Sequence, residues 1–353
     1  MTIAGSIYHR FKRHRSLQTS VITAMPLVVL MPHSGCNCRC VMCDIWKDNQ
    51  NRQQLSANDI SRLLVSLKKL GTQQVLMSGG EALLHPAFFH FCELLREEQI
   101  SVVLLSTGLT LKKHAQQLTE QVSEIIVSLD GDPATHDRIR NIAGAFDLLE
   151  EGVKAIRQIN PAYRITARTV IHQLNFRIMA DIISTAKELG LDQISFLPAD
   201  VSSHAFNREV LWSGDRQEEI MIAKTELPDL KNILERVNED RKTDSGFIAE
   251  NADRLMQIHT YYAALHGQVP FPYRKCNAPW VSAVVEADGT VRPCFFHEAM
   301  GNIREGAFND LLNSEQAIRF RKNLNVATNP TCEKCVCRLY LSPGTSLPSI
   351  STP

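Results

Sequence analysis

The sequence predicts an α/β chain: a partial, open (β/α)6 barrel of the TIM type, followed by a small cysteine-rich domain. Three observations carry this. Six short apolar runs alternate with helix-period stretches between Leu27 and Pro198. A polar, glycine-rich or cysteine-rich loop follows nearly every run. Eight of the ten cysteines fall in two clusters, Cys36/Cys38/Cys40/Cys43 and Cys294/Cys332/Cys335/Cys337, with Cys276 just upstream of the second.

The runs are "LVVLM" (27–31), "QQVLM" (73–77), "SVVLL" (101–105), "EIIV" (124–127), "ITARTVI" (165–171) and "QISFL" (193–197). Their near-continuous apolarity reads as strands buried on both faces of a parallel sheet. Helices fill the gaps. Ser56 is an N-cap with Asp59 three residues on, and Ile60, Leu63, Leu64, Leu67 and Leu70 follow at helical spacing until Gly71 closes the turn. Met179, Ile182, Ile183, Ala186 and Leu189 repeat the pattern, closed by Gly190. Such a repeat gives a barrel or a doubly wound sheet. The loops decide: "HSGCNCRCVMC", "SGGE", "STG", "SLDG", "HQLN" and "PAD" follow strands one to six. A barrel gathers such loops on one face, whereas a doubly wound sheet concentrates its chemistry at one switch point. Six units in place of eight predict a partial barrel.

Five segments follow: an N-terminal arm (1–24), the barrel (25–204), a helical insertion or linker (205–275), a cysteine-rich domain (276–345) and a loose tail (346–353). The basic stretch "HRFKRHR" reads as a solvated arm. "CNAPWVSAVVEADGTVRPC" reads as a β-hairpin around Ala287-Asp288-Gly289. Lys+Arg and Asp+Glu both number 38, so no net field favours nucleic acid or an anionic membrane. No apolar run approaches the ~20 residues that span a bilayer. The basic stretch, the apolar Val21–Met31 and Gly35-Cys36 resemble an export signal. However, Pro26, Pro32 and His33 break the pattern, and cleavage would delete the first strand. A cytoplasmic location is expected, where ten cysteines do not form a disulfide scaffold. Cys92, in the apolar "FFHFCELL", reads as a buried inert thiol.

Zinc and an iron–sulfur cluster compete for the clustered cysteines. "CVMC" (40–43) and "CEKC" (332–335) could pair around one zinc ion. Each has further cysteines beside it, however, and the first sits at a barrel mouth, where a closed structural site has little purpose. Cys36, Cys40 and Cys43 form CxxxCxxC, and three thiolates on a four-iron cube leave one iron open.

CxxxCxxC after the first strand, with Gly79-Gly80-Glu81 after the second, resembles the radical S-adenosylmethionine (SAM) superfamily. "MSGGEALLHP" and "VSLDG" match that family's second- and fourth-strand segments, and the resemblance spans roughly residues 25–200. It implies a [4Fe-4S] cluster on Cys36, Cys40 and Cys43, with Cys38 a bystander, and SAM chelated at the open iron. One electron into the sulfonium would release a 5′-deoxyadenosyl radical that takes a hydrogen from the substrate. The resemblance implies SAM contacts from Gly79, Gly80 and the Glu81 region at the methionine end, and from Ser106 and Thr107 at polar groups. It also implies Ser128 and Asp130 at the ribose and Arg168 at the carboxylate. Structural readings stand beside these: a tight turn for the glycines, a helix cap for Ser106 and Thr107, an ion pair for Arg168. Met42 stands where many members carry an aromatic residue.

The C-terminal cysteines, with "GNI" at 301–303, resemble the SPASM/twitch extension of that superfamily. A full SPASM module uses seven cysteines. Five here imply one auxiliary [4Fe-4S] cluster on Cys276, Cys294, Cys332 and Cys335, with Cys337 replacing one of these or being spare; zinc stays an alternative. A second cluster suits an oxidative reaction, because it can accept the electron a substrate radical must lose. The expected substrate is a small metabolite, an alcohol or sugar-like molecule, the alternative being a peptide or protein maturase; about 25 residues before the first strand are too few for a leader-binding domain. A non-enzymatic metal-binding module is the remote alternative. The expected partner is a reducing electron donor such as flavodoxin or ferredoxin. His172, Asp200, His204, Tyr261 and Tyr262 are candidate lining residues; no catalytic base is assigned.

Overall fold

The structure, a computed structural model, describes residues 3–208, 210–242 and 246–344. The expected tail at 346–353 lies outside the described residues.

All six expected strands form: β1 (Leu27–Leu30), β2 (Gln74–Met77), β3 (Ser101–Ser106), β4 (Glu124–Ser128), β5 (Ile165–Ile171) and β6 (Gln193–Pro198). Each pairs in parallel with its predecessor. The spatial order therefore never reverses, which is barrel progression and not a doubly wound sheet. All six strand-end loops leave the same edge.

The hairpin β7 (Ser282–Val285) and β8 (Thr290–Arg292) forms as expected, with Val285 opposite Val291. A short β9 (Gly301–Asn302) follows. The sequence reading does not anticipate that β7 also pairs in parallel with β1, Leu27 opposite Ser282. The sheet is thus a single nine-stranded unit, β6-β5-β4-β3-β2-β1-β7-β8-β9. The apolar "SAVV", buried throughout, covers an edge that β1 would otherwise leave unpaired. At the other edge, Ile194 exchanges hydrogen bonds with Phe247 and Ala249.

The helices are α1 (Ile3–Thr19), α2 (Ala57–Leu70), α3 (Phe88–Glu97), α4 (Leu111–Gln121), α5 (Pro133–Arg140), α6 (Ala145–Ile159) and α7 (Met179–Glu188). After β6 come α8 (Gly214–Ile220), α9 (Leu227–Asp240) and α10 (Ala252–Leu265). At α2, Ser56 and Asp59 make the expected reciprocal capping box, and Gly71 ends the helix at φ 63°. The main core joins these helices to the sheet. A smaller cluster gathers alternate strand residues: Leu27, Val29, Leu76, Val103, Ile126 and Val284. Phe295 and Leu339 of the C-terminal region pack against it.

The N-terminal arm differs from the solvated stretch expected. It is the helix α1, and it is docked: Arg13 and Ser16 are buried, Arg13 donates to the Ser342 carbonyl, and the Ser16 hydroxyl accepts from the Thr23 and Ala24 amides. Arg13 and Ser16 face the protein, while Arg10, His14 and Arg15 are exposed.

Candidate active site

The loop after β1 carries Cys36, Cys38, Cys40 and Cys43, none in a disulfide. Asn49 brackets Cys36, accepting from its amide and donating to its carbonyl, both at 2.9 Å. Trp46 Nε1 donates to the Cys43 carbonyl at 2.9 Å. Burial pushes the thiols of Cys36 and Cys43 each up to about 12, against the opposing pull of the nearby Cys38 and Ile45 amides. Cys40 moves the other way. The Cys38 thiol donates to it and Arg140 adds a cation, holding it below the usual thiol range. Cys38 itself is fully buried in the core. The loop therefore offers three sulfurs with N–H or guanidinium donors aimed at them, the surroundings that iron–sulfur thiolates take. Among the described residues, no three Cys, His, Asp or Glu side chains converge tightly enough for a single metal ion. Thiols on separate corners of a cluster stand further apart than the ligands of one ion.

Gly79 and Gly80 lie directly beneath this loop. A Cβ on Gly80 would come within 2.2 Å of the Gly35 carbonyl oxygen, and one on Gly79 within 2.8 Å of that of His33. Gly79 also holds φ 116°. Both glycines are thus required by loop packing, before any ligand is considered. The Glu81 amide donates to the Gly35 carbonyl at 2.9 Å. The Glu81 carboxylate is buried and ringed by donors: the Thr107 amide at 2.7 Å, the Thr107 hydroxyl at 2.8 Å, the Ser106 hydroxyl at 3.1 Å and the Leu83 amide at 3.2 Å. Thr107 Oγ1 also lies 2.9 Å from Asn37 Oδ1. Glu81, Ser106 and Thr107 form one network tying the β2 and β3 ends to the cysteine loop. Burial raises the Glu81 carboxyl despite those donors.

Ser128 ends β4 and is half-buried. Asp130 is fully buried and ion-paired to Arg140, and its Oδ1 accepts from the Val170 amide at 3.3 Å. Arg168, half-buried on β5, donates to Ser195 Oγ at 3.3 Å. Its charge, with that of Arg274, is felt at Cys337, as is that of Asp200. Arg168 thus reaches across to β6.

The segment after β6 closes over the loop, a feature the spacing of motifs does not reveal. Arg208, with no exposed side-chain surface, pairs with Asp200 at 2.7 Å and donates to the Met42 carbonyl. Its guanidinium lies 3.9 Å from the Trp212 ring centroid, and Trp212 Nε1 donates to Asp44 Oδ2 at 2.7 Å. Of the lining candidates, Tyr262 bonds the Ile171 carbonyl and the Ala199 amide, so it is a strut. His204 is exposed and bonded to the Arg208 carbonyl. His172 Nε2, the Tyr261 hydroxyl and Asp200 Oδ1 are buried without a hydrogen-bond partner among the described residues. Burial, then Asp200, keep the Tyr261 hydroxyl well above its usual range, and Cys335 adds to this.

All five C-terminal cysteines line one cavity with Arg274, Phe296, His297, Val326 and Thr331. Burial pushes the Cys294 thiol up to about 12 and Cys332 up to about 11. Such thiols stay protonated until a metal displaces the proton. Cys332 Sγ lies 3.3 Å from His297 Nε2. The donor set suits a thiolate-held cluster, and sequence spacing gave no sign of His297.

One cysteine group on the loop after β1 and a second around a C-terminal cavity suit iron–sulfur clusters. The chain belongs to the Radical SAM superfamily, whose family model matches residues 30–186, and carries a SPASM iron–sulfur cluster-binding domain at 276–336. It is 24% identical over 331 residues to Fe-coproporphyrin III synthase of Methanosarcina barkeri, covering 88% of this chain and 80% of that one. It is 23% identical over 295 residues to PqqA peptide cyclase of Rhodopseudomonas palustris, covering 80% and 72%. The fold matches Streptococcus suis SuiB bound to precursor peptide SuiA at a TM-score of 0.66 and 15% identity, over 93% of this chain and 74% of that one. The protein is a radical SAM enzyme that uses a [4Fe-4S] cluster, SAM and auxiliary iron–sulfur chemistry. No helix among the described residues is long and apolar enough to cross a membrane.

Proposed function

We propose that the enzyme oxidatively modifies a small organic substrate held between the two cysteine sites. Cys36, Cys40 and Cys43 would hold the SAM-binding cluster. Four of Cys276, Cys294, Cys332, Cys335 and Cys337 would hold one auxiliary cluster. When bound, SAM and its cluster supply a 5′-deoxyadenosyl radical. Hydrogen abstraction leaves a substrate radical, and the oxidised product forms when one more electron and a proton depart. The observation that carries this reading is the seating of the auxiliary site on the barrel: Cys337 packs against the main core, and Phe295 and Leu339, beside auxiliary cysteines, pack against the strand cluster of Leu27, Val29, Leu76, Val103 and Ile126. The orphaned Asp200 Oδ1 and Tyr261 hydroxyl supply polar partners for a substrate or for its departing proton. The reducing electron is drawn from a flavodoxin- or ferredoxin-type donor.

The tetrapyrrole synthase named among the relatives, aligned over most of both chains, supports a non-peptide substrate. A second reading, a peptide or protein maturase, is favoured by the peptide cyclase relative. The test is to reconstitute the enzyme anaerobically and supply SAM, dithionite and either the small-molecule fraction of a cell extract or its peptide fraction. The proposal expects a small-molecule sample to stimulate 5′-deoxyadenosine formation and yield an oxidised product. Stimulation by the peptide fraction alone would contradict it and favour the maturase.

A further inference from the structure

Arg140, the last residue of α5, is 6% exposed, and its fork is divided between a cysteine sulfur and a carboxylate. Nη1 donates to Cys40 Sγ at 3.4 Å. Nη2 pairs with Asp130, which is fully buried. The backbone of the same helix end grips the loop as well, since the Ile139 and Arg140 carbonyls accept from the Val41 and Arg39 amides, both at 3.0 Å. Arginine frequently presents both branches of its fork to one carboxylate. Here one branch is given to sulfur.

We propose that Arg140 is a positioning residue that holds Cys40 and raises the reduction potential of the cluster on Cys36, Cys40 and Cys43, with Asp130 as its counterweight. This rests on the cluster assignment proposed above. Reduction adds negative charge to a cluster. A buried cation against one of its thiolates stabilises the reduced form, and a carboxylate on the far side of that cation opposes it. Burial leaves both effects weakly screened. Hydrogen bonds and local charge are among the determinants of iron–sulfur potentials.

The test is a redox titration of the anaerobically reconstituted full chain, following the electron paramagnetic resonance signal that changes when SAM is added. Arg140→Gln is expected to shift the midpoint to more negative values and Asp130→Asn to more positive ones. Each shift is on the order of tenfold in the reduction equilibrium, about 59 mV for one electron. Arg140→Lys, which keeps the charge, is expected to stay nearer the wild type. Shifts of the same sign, or none, would overturn the proposal, because a purely structural pair has no reason to move the potential in opposite directions. If Arg140→Gln does not take up iron, Asp130→Asn still decides: a midpoint unmoved or lowered overturns it. A SAM-responsive signal that survives joint replacement of Cys36, Cys40 and Cys43 by Ala would overturn the cluster assignment, and this inference with it.

Discussion

At the scale of single residues, two positions are governed by different forces. Gly80 is fixed by space. An added methyl would lie 2.2 Å from the backbone oxygen of Gly35, and backbone cannot step aside as a flexible side chain can. Gly80→Ala is therefore expected to destabilise the protein by about 1–3 kcal/mol, the usual range for overpacking, and to lower iron retention at the first site. Denaturant unfolding and iron analysis check both. Glu250 is fixed by burial. It accepts from the Phe196 amide at 3.0 Å, yet desolvation raises its carboxyl to about 7. Between its unfolded value near 4.5 and about 7, the folded state keeps a proton that the unfolded chain has lost. Its contribution therefore falls as pH rises through that window and stays low above it. Glu250→Gln, which keeps the acceptor, is expected to be the more stable form at pH 8, by roughly 3 kcal/mol, with the gap closing below pH 5. A gap unchanged across that range in thermal melts would show that the carboxyl is not so perturbed.

At the scale of elements, local signals and long-range contacts divide the fold. The capping box of α2 was legible in "SAND" because its parts are three residues apart, and the structure contains both hydrogen bonds. Ser56→Ala should cost about 1 kcal/mol, a typical N-cap loss, measurable by thermal melting. The six strands were legible because burial on both faces leaves a continuous apolar run. The pairing of β7 with β1 was not, because "SAVV" carries no mark of its partner, and the choice is made by the edge left open some 250 residues earlier. The docked α1 was hidden for a similar reason: its charges speak of solvent, while the burial of Arg13 and Ser16 depends on Ser342 and Thr23, which pattern alone does not connect to it. At the site, the strand-end motifs were readable as a set. The partners that order them were not: Glu81 closes on Ser106 and Thr107, Asp130 closes on Arg140, and Arg208 and Trp212 cover the loop from beyond β6. Nothing in the spacing of "HDRIRN" distinguishes Arg140 from an exposed helix arginine.

At the scale of the molecule, the single sheet explains how one chain can hold two cysteine sites without a flexible hinge between them. β1 carries the first site at its C-terminal end and, through β7, is hydrogen-bonded to the hairpin that leads to Cys294. Phe295 and Leu339, which flank auxiliary cysteines, pack against residues of β1, β2, β3 and β4. The two sites are thus joined through the same strands that form the barrel. The central claim is that three loop cysteines support SAM cleavage independently of the auxiliary cluster. Its most direct test is 5′-deoxyadenosine formation by the anaerobically reconstituted enzyme with SAM and dithionite, measured beside the variant carrying Ala at Cys36, Cys40 and Cys43. The account predicts 5′-deoxyadenosine from the wild type and none from the variant, which still binds iron at its C-terminal site. No product from a fully iron-loaded wild type, or undiminished product from the variant, would contradict it.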